Sequence, residues 1–270
     1  MMNTRQLPKL PPRPTWGHKG LFGRVLIVGG AEHMFGAAVL AGTTALRAGS
    51  GLVQIAVPAA VLPHAISITP ELIGLPLRDG DDRELLAAAG AADVLVIGPG
   101  MGTSPASRRR LGKLLPLHKP AVLDADALNL LASVRRRPKG LALDAVFTPH
   151  PGEMSRLAAA HLGGDADPVA AARVYGQIVL LKGHRTIVTD GRRRYVNRTG
   201  DSSLSKAGAG DVLAGLIGSL IGQGMGVFEA ARAGAWIHGK AGELAGKRLG
   251  RRSVLARDVI AAIGDVMNKP

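Results

Sequence analysis

Six short, almost unbroken apolar runs punctuate this 270-residue chain, and five of them end abruptly in glycines, acids, a histidine or a lysine. The runs lie at 24–28, 52–57, 94–97, 121–123, 145–147 and 178–181 and are rich in Val, Ile and Leu. Strands that lack polar–apolar alternation are covered on both faces, which predicts a mainly parallel α/β sheet. The intervening patterns predict helices over 36–48, 83–89, 106–115, 126–132, 153–160 and 169–175. Segments 186–189 and 193–196, joined through Asp190-Gly191, predict a hairpin with a primed turn. Three further helices are expected over 210–221, 227–249 and 254–267. With 46% apolar residues the chain can bury a large core. The absence of repeats and linkers predicts one domain over residues 21–270. Residues 1–20 read as a flexible, basic, proline-rich arm without the apolar segment of a secretory signal.

The residues that follow the runs carry the chemistry. They are Gly29-Gly30, Gly98-Pro99-Gly100-Met101-Gly102, Asp124-Ala125-Asp126, Thr148-Pro149-His150-Pro151-Gly152-Glu153 and Lys182-Gly183. Open α/β sheets bind ligands beyond the carboxyl ends of their strands, so these groups are expected along one edge. The most informative segment is Lys206-Ala207-Gly208-Ala209-Gly210-Asp211-Val212-Leu213-Ala214-Gly215. A helix starting at about Gly210 would aim free amides and its positive dipole end at a phosphate. Asp211 could then take a proton from a hydroxyl beside that phosphate. The simpler alternative is that Asp211 caps the helix and the glycines only pack.

The other candidates carry plain alternatives too. Asp124 and Asp126 could hold Mg²⁺ through water or orient a hydroxyl, although Asp126 ahead of Ala127-Leu128-Asn129 is more simply a helix N-cap. Glu153 could cap a helix or link to a metal, while His150 is expected to project into the cleft. Lys182-Gly183-His184-Arg185-Thr186 could lie along the phosphates of a nucleotide. The P-loop, the dinucleotide-binding Gly-x-Gly-x-x-Gly, the Gly-x-Ser-x-Gly elbow and His-Glu-x-x-His are absent from the sequence. Without cysteine there is no thiolate nucleophile or zinc–sulfur site.

The formal charge of +14 is spread over short clusters at 108–110, 135–139, 192–194 and 247–252, and only 3% of residues are aromatic. Stacking platforms for nucleic acid need aromatics, so the clusters read as solvated faces that could steer an anionic substrate. The longest uncharged run, 212–228, holds 17 residues and five glycines. It suits a buried core helix better than a membrane span of ~20 residues. No nucleic-acid or membrane partner and a cytoplasmic location are therefore expected.

Taken in order, the motifs resemble those of the NAD(P)H-hydrate dehydratases. The resemblance rests on Gly29-Gly30, Gly36-Ala37-Ala38-Val39-Leu40-Ala41, Arg47-Ala48-Gly49-Ser50-Gly51-Leu52-Val53 and the segments at 98–102, 124–129, 148–153, 182–186 and 208–215. It implies a ribokinase-like, three-layer α/β/α fold. It also implies return of the S form of hydrated NADH or NADPH (NADHX, NADPHX) to NADH or NADPH, with Mg²⁺ and ADP or ATP as phosphoryl donor. By similarity Ala37, Gly102, His150 and Asp211 would contact the hydrated dinucleotide. Lys182, Gly183, His184, Arg185, Thr186 and Gly210 would contact the adenine nucleotide. Gly208, Ala209 and Gly210 would form an anion hole, Asp124 and Glu153 would serve the metal, and Asp211 would be the base. Relatives imply a homo-oligomer, a tetramer among the options, paired with a separate epimerase for the R form. A vitamin-precursor kinase of the same fold needs the same anion hole and acid, and a non-catalytic nucleotide sensor would keep the binding alone.

Overall fold

Pairing between neighbouring strands gives one nine-stranded sheet in a computed structural model that describes residues 9–134 and 142–268. The strands are β1 (Arg24–Val28), β2 (Leu52–Pro58), β3 (Ile73–Leu77), β4 (Val94–Ile97), β5 (Pro120–Leu123), β6 (Asp144–Phe147), β7 (Ile178–Leu181), β8 (Ile187–Thr189) and β9 (Arg194–Val196). Their order is β3-β2-β1-β4-β5-β6-β7-β8-β9. The first seven are parallel, and the last two add antiparallel. The helices are α1 (Phe35–Arg47), α2 (Leu62–Ile68), α3 (Arg83–Ala91), α4 (Pro105–Leu114), α5 (Asp126–Ala132), α6 (Pro151–His161), α7 (Pro168–Tyr175), α8 (Ala209–Gly222), α9 (Val227–Leu249) and α10 (Ala256–Met267).

Successive strand residues point to opposite faces, and both faces are apolar. Val25, Ile27, Val94, Val96, Val122 and Val146 face one core, which α1, α8, α9 and α10 close. Leu26, Val28, Leu95, Ile97, Leu123 and Phe147 face the other, closed by α3 to α7. Two cores around one sheet make the three layers. In the first core α8 lies close to α1, because Gly215 has no side chain. A Cβ there would be driven into the Ala41 carbonyl oxygen, well inside van der Waals contact. Gly215→Ala should therefore destabilise the domain by at least about 2 kcal/mol, read as a fall in Tm of roughly 4–8 °C. An unchanged Tm would show that the two helices separate freely.

Several expectations need correction. β3 and α2 were not anticipated. The hairpin turn is not primed: Thr189 pairs with Arg194 across four loop residues, and Asp190 has no positive φ. Asp190 instead accepts hydrogen bonds from the Arg192 and Arg193 amides, at 2.9 and 2.6 Å. The basic cluster at 108–110 is not simply a solvated face. Arg110 is buried and, with Arg109 and Lys113, ion-pairs with the buried Asp82 at 2.8–3.2 Å. Burial alone would raise the Asp82 pKa, but hydrogen bonds from Lys113, Arg109 and Arg110 outweigh it and bring it down to about 2. The cluster at 135–139 lies outside the described residues, as do residues 1–8 of the expected arm. The described part of the arm touches the domain, with Arg13 stacked 3.9 Å over the Phe22 ring and bonded to the Gly49 carbonyl at 2.7 Å. Among the described residues no helix is long and apolar enough to cross a membrane.

Candidate active site

Three neighbouring strand ends deliver interlocking side chains. Asp124 follows β5, is 1% exposed, and accepts at Oδ1 from Thr148 Oγ1 beyond β6 (2.7 Å) and from Lys182 Nζ beyond β7 (2.8 Å). Lys182 Nζ also lies 3.8 Å from Glu153 Oε2. Burial works against the Lys182 charge, but Asp124, Glu153 and Asp211 outweigh it and raise its pKa. Lys182 is therefore a fixed ammonium held by carboxylates.

The start of α8 faces this cluster. The helix begins at Ala209, one residue before the expected start, with Gly208 in the left-handed region (φ +90°) as its N-cap. The bare side of Gly210 opens onto Lys182 Nζ and Asp124 Oδ2, 3.4 and 3.9 Å from where a Cβ would stand. The first amides of a helix have no intrahelical partner. That of Ala209 is taken by the Lys206 carbonyl at 3.3 Å, which leaves Gly210 and Asp211 as the stronger pair for an anion. Gly208 has no side chain with which to cap the helix, and Asp211 lies in the first turn of α8 as its acidic residue. Burial and the charges of Asp124 and Asp126 raise the Asp211 pKa to about 7, with Lys182 pulling the other way. A carboxylate tuned to neutral pH is suited to accept a proton and release it again.

The first half of the sheet supplies a second wall. The Gly30 amide donates to the Pro99 carbonyl at 2.9 Å, the Ala31 amide to the Gly100 carbonyl, and Gly100 packs on Ala37. Gly102 needs its glycine backbone (φ +69°), and its amide donates to Asp126 Oδ2 at 2.8 Å. Asp126 is therefore not the N-cap of α5. That place is held by Ala125, at φ 49° and ψ −112°, an uncommon conformation for a residue with a side chain. The sharp turn at Ala125 lets Asp124 pair with Lys182 while Asp126 holds Gly102.

His150 is the N-cap of α6. Its Nδ1 accepts from the Gly152 and Glu153 amides at 3.0 and 3.3 Å, and Glu153 Oε2 accepts from the His150 amide at 2.8 Å. The imidazole is half exposed, with Nε2 3.5 Å from Glu153 Oε1. Glu153 thus caps α6 and balances the charge of Lys182. Among the described residues no group of three or more His, Cys, Asp or Glu side chains is arranged to hold a metal ion. Asp124 Oδ2, toward Gly210, remains the carboxylate oxygen best placed for one. Mg²⁺ needs little more than one or two carboxylates when phosphates and water complete its shell.

A cavity of about 400 Å³ opens beside the cluster. Lys182, Gly183, His184, Arg185 and Thr186 form one wall, Ala209 and Gly210 another, and α9 contributes its floor. Ala37, Gly102, His150 and Asp211 are not among its lining residues, although Asp211 directly follows the lining residue Gly210 and interacts with Lys182. Sequence reading missed three residues here: Thr148 as a donor to Asp124, Asp126 as the anchor of Gly102, and His238 in the cavity floor. The Thr148 and Asp126 roles follow from register between neighbouring strands, and His238 sits in a helical pattern that carries no sign of a ligand.

A family model described as NAD(P)H-hydrate dehydratase matches residues 25–264. The chain is 44% identical over 269 residues to a bifunctional NAD(P)H-hydrate repair enzyme of Moorella thermoacetica, covering 93% of this chain and 50% of that protein. It is 42% identical over 238 residues to the ADP-dependent (S)-NAD(P)H-hydrate dehydratase of Neisseria meningitidis, covering 84% of this chain and 78% of that one. The chain thus spans about half the length of the bifunctional relatives it matches. Among solved structures it superposes on the ADP/ATP-dependent NAD(P)H-hydrate dehydratase of Bacillus subtilis co-crystallised with ATP/Mg²⁺, with a TM-score of 0.81, 28% identity and coverage of 96% and 93% of the two chains. A ribokinase-like superfamily protein of Enterococcus faecalis gives a TM-score of 0.83 at 24% identity over 96% of this chain and 91% of that one, and so shows the fold.

Proposed function

The chain belongs to the NAD(P)H-hydrate dehydratase family, and we propose that it repairs hydrated nicotinamide cofactor in two linked steps. In the first, the S form of hydrated NADH or NADPH gives up the proton of its ring hydroxyl to the Asp211 carboxylate as the oxygen attacks the terminal phosphoryl group of ADP or ATP, whose bridging P–O bond breaks to release AMP or ADP. In the second, the ring nitrogen lone pair expels inorganic phosphate, and a proton leaves the adjacent ring carbon to restore the dihydropyridine. The observation that carries this reading is the arrangement around Gly210. A free helix N-terminus, the Lys182 ammonium and a carboxylate with a pKa of about 7 converge there. Phosphoryl transfer needs positioning and charge stabilisation more than covalent help. The amides of Gly210 and Asp211 would receive the transferred group, and Lys182 would sit beside its oxygens.

The loop 182–186 and the cavity beside it would take the adenine nucleotide. Ala37, Gly102 and His150 would flank the hydrated dinucleotide on the other side. A bound Mg²⁺ would be held by Asp124 together with phosphate oxygens and water, supplying neutralising charge. The basic surface of the chain suits the approach of two polyanionic substrates.

The test is absorbance at 340 nm after mixing the protein with hydrated NADH, Mg²⁺ and either ADP or ATP. A nucleotide-dependent rise is expected, and the more effective nucleotide names the donor. A flat trace with both nucleotides, from folded protein that binds them, would overturn dehydration. Accumulation of a stable phosphorylated product from a small alcohol would then favour a kinase.

A further inference from the structure

A shallow groove of about 410 Å³ runs between α5 and α6, lined by Asn129, Ala132, Ser133, Arg156, Ala159 and Ala160. Both helices begin just past strand carboxyl ends, so the groove leads away from the mouth of the active site. Its alanines make a floor of small side chains, and its polar lining is Asn129, Ser133 and Arg156. Ser133 is already committed: its hydroxyl donates to the Leu130 carbonyl at 2.6 Å and accepts from Arg108 Nη1 at 2.8 Å.

Arg156 is exposed, yet it is held in place. Its Nε donates to Asn129 Oδ1 at 2.9 Å, and Asn129 Nδ2 donates to Asp126 Oδ1 at 3.2 Å. Asp126 Oδ2 in turn accepts from the Gly102 amide at 2.8 Å. A guanidinium only donates and a carboxylate only accepts, so an amide, which does both, is the link this relay needs. Two loops expected at the substrate are thereby joined, because Arg156 also stands next to His150. Its Nη1 lies 3.7 Å, and the His150 Cε1 2.9 Å, from where a Cβ of Gly152 would be.

The kind of ligand follows from charge. Elsewhere in the chain arginines are answered by carboxylates, as Arg110 is by Asp82 and Arg251 by Asp201. Arg156 is anchored by a neutral amide instead, and among the described residues it forms no ion pair and its two terminal nitrogens bond nothing. A fixed guanidinium with an uncancelled charge and an open outer edge matches a phosphate, whose oxygens accept two parallel N–H bonds. Resting on the dinucleotide reading of Gly102 and His150, we propose that Arg156, positioned by Asn129, binds a phosphate of the hydrated dinucleotide where that ligand leaves the site along the α5–α6 groove. Two phosphates of the ligand have this chemistry. The pyrophosphate is shared by hydrated NADH and NADPH, whereas the 2′-phosphate belongs to hydrated NADPH alone.

The test is calorimetric binding of hydrated NADH and hydrated NADPH to the unaltered protein and to Arg156→Gln, without adenine nucleotide so that nothing turns over. Arg156 is exposed, and replacing an exposed side chain leaves folding nearly unaffected. The variant should bind hydrated NADPH about tenfold more weakly, the effect of losing charge-assisted hydrogen bonds at a water-exposed site. Added salt should also weaken its binding less than that of the unaltered protein. An equal loss for hydrated NADH would uphold the proposal and identify the pyrophosphate. A loss confined to hydrated NADPH would uphold it and identify the 2′-phosphate. Unchanged affinity for both ligands would overturn it. In an Asn129→Leu background Arg156→Gln should cost much less than in the unaltered protein, and a full loss there would remove Asn129 from its positioning role. Weakened binding by Arg156→Gln alongside a flat 340 nm trace from the unaltered protein would uphold the phosphate contact and sink only the dehydration chemistry. Failure of the unaltered protein to bind either ligand would sink both.

Discussion

Asp211→Asn is expected to lower the nucleotide-dependent rate at 340 nm by about 10²–10⁴-fold, the usual contribution of a positioned general base. The unaltered enzyme should lose rate as pH falls, with its midpoint near the carboxyl pKa of about 7. Asn cannot titrate, so that limb should vanish from the residual activity. Stability should move the opposite way. The Asp211 pKa is raised on folding, so its stabilising share is complete below the ordinary carboxylate value of 3.8 and is lost as pH rises through about 7. Asp211→Asn should consequently raise Tm at pH 8 and leave it unchanged near pH 4. Near-normal turnover in the variant would remove Asp211 from the role of base. A lower Tm at pH 8 would show that the carboxylate is better compensated than its surroundings indicate.

Lys182→Met should be the more damaging change to the folded chain. The ammonium is 2.8 Å from Asp124 Oδ1 and 3.8 Å from Glu153 Oε2, both carboxylates buried. Removing one member of such a group leaves the others uncompensated at a cost of about 3–5 kcal/mol. Thermal unfolding at pH 8 should show a Tm lowered by roughly 6–20 °C, with part of the loss recovered in acid as the carboxylates protonate. Lys182 also lowers the Asp211 pKa, so any remaining activity should have its pH midpoint displaced upward. A variant with unchanged Tm and an unchanged pH midpoint would contradict the described cluster.

Apolar runs made β1, β2 and β4 to β7 legible in the sequence, because strands buried on both faces leave a mark that periodicity can find. β3 left none. Its Ile-Gly-Leu-Pro-Leu contains the two residues that most oppose a strand, and it is tolerated because β3 lies at the sheet edge. The cluster around Gly210 was legible as a set of strand-end residues, but its internal wiring was not. Nothing local indicates that Thr148 donates to Asp124, or that Asp126 leaves the cap of its own helix to hold Gly102. Those bonds span 24 residues each and depend on the register of adjacent strands. The buried Asp82 group was hidden for the same reason, its basic partners lying 27 to 31 residues away.

The strand-end cluster has a consequence for how a nucleotide is admitted. The whole chain carries +14, and a field of that sign draws any polyanion from a distance. At the floor the balance reverses: Asp124, Glu153 and Asp211 surround a single ammonium, and the charge of Asp126 reaches the same spot. Arrival and seating are thus governed by opposite signs. On the proposed nucleotide reading, bare di- and triphosphates should be recruited quickly and held poorly, whereas a nucleotide that brings its own divalent cation should cancel the excess negative charge on contact. On that reading the charge pattern is a two-stage filter, fast and indiscriminate at long range and selective for chelated phosphate at close range.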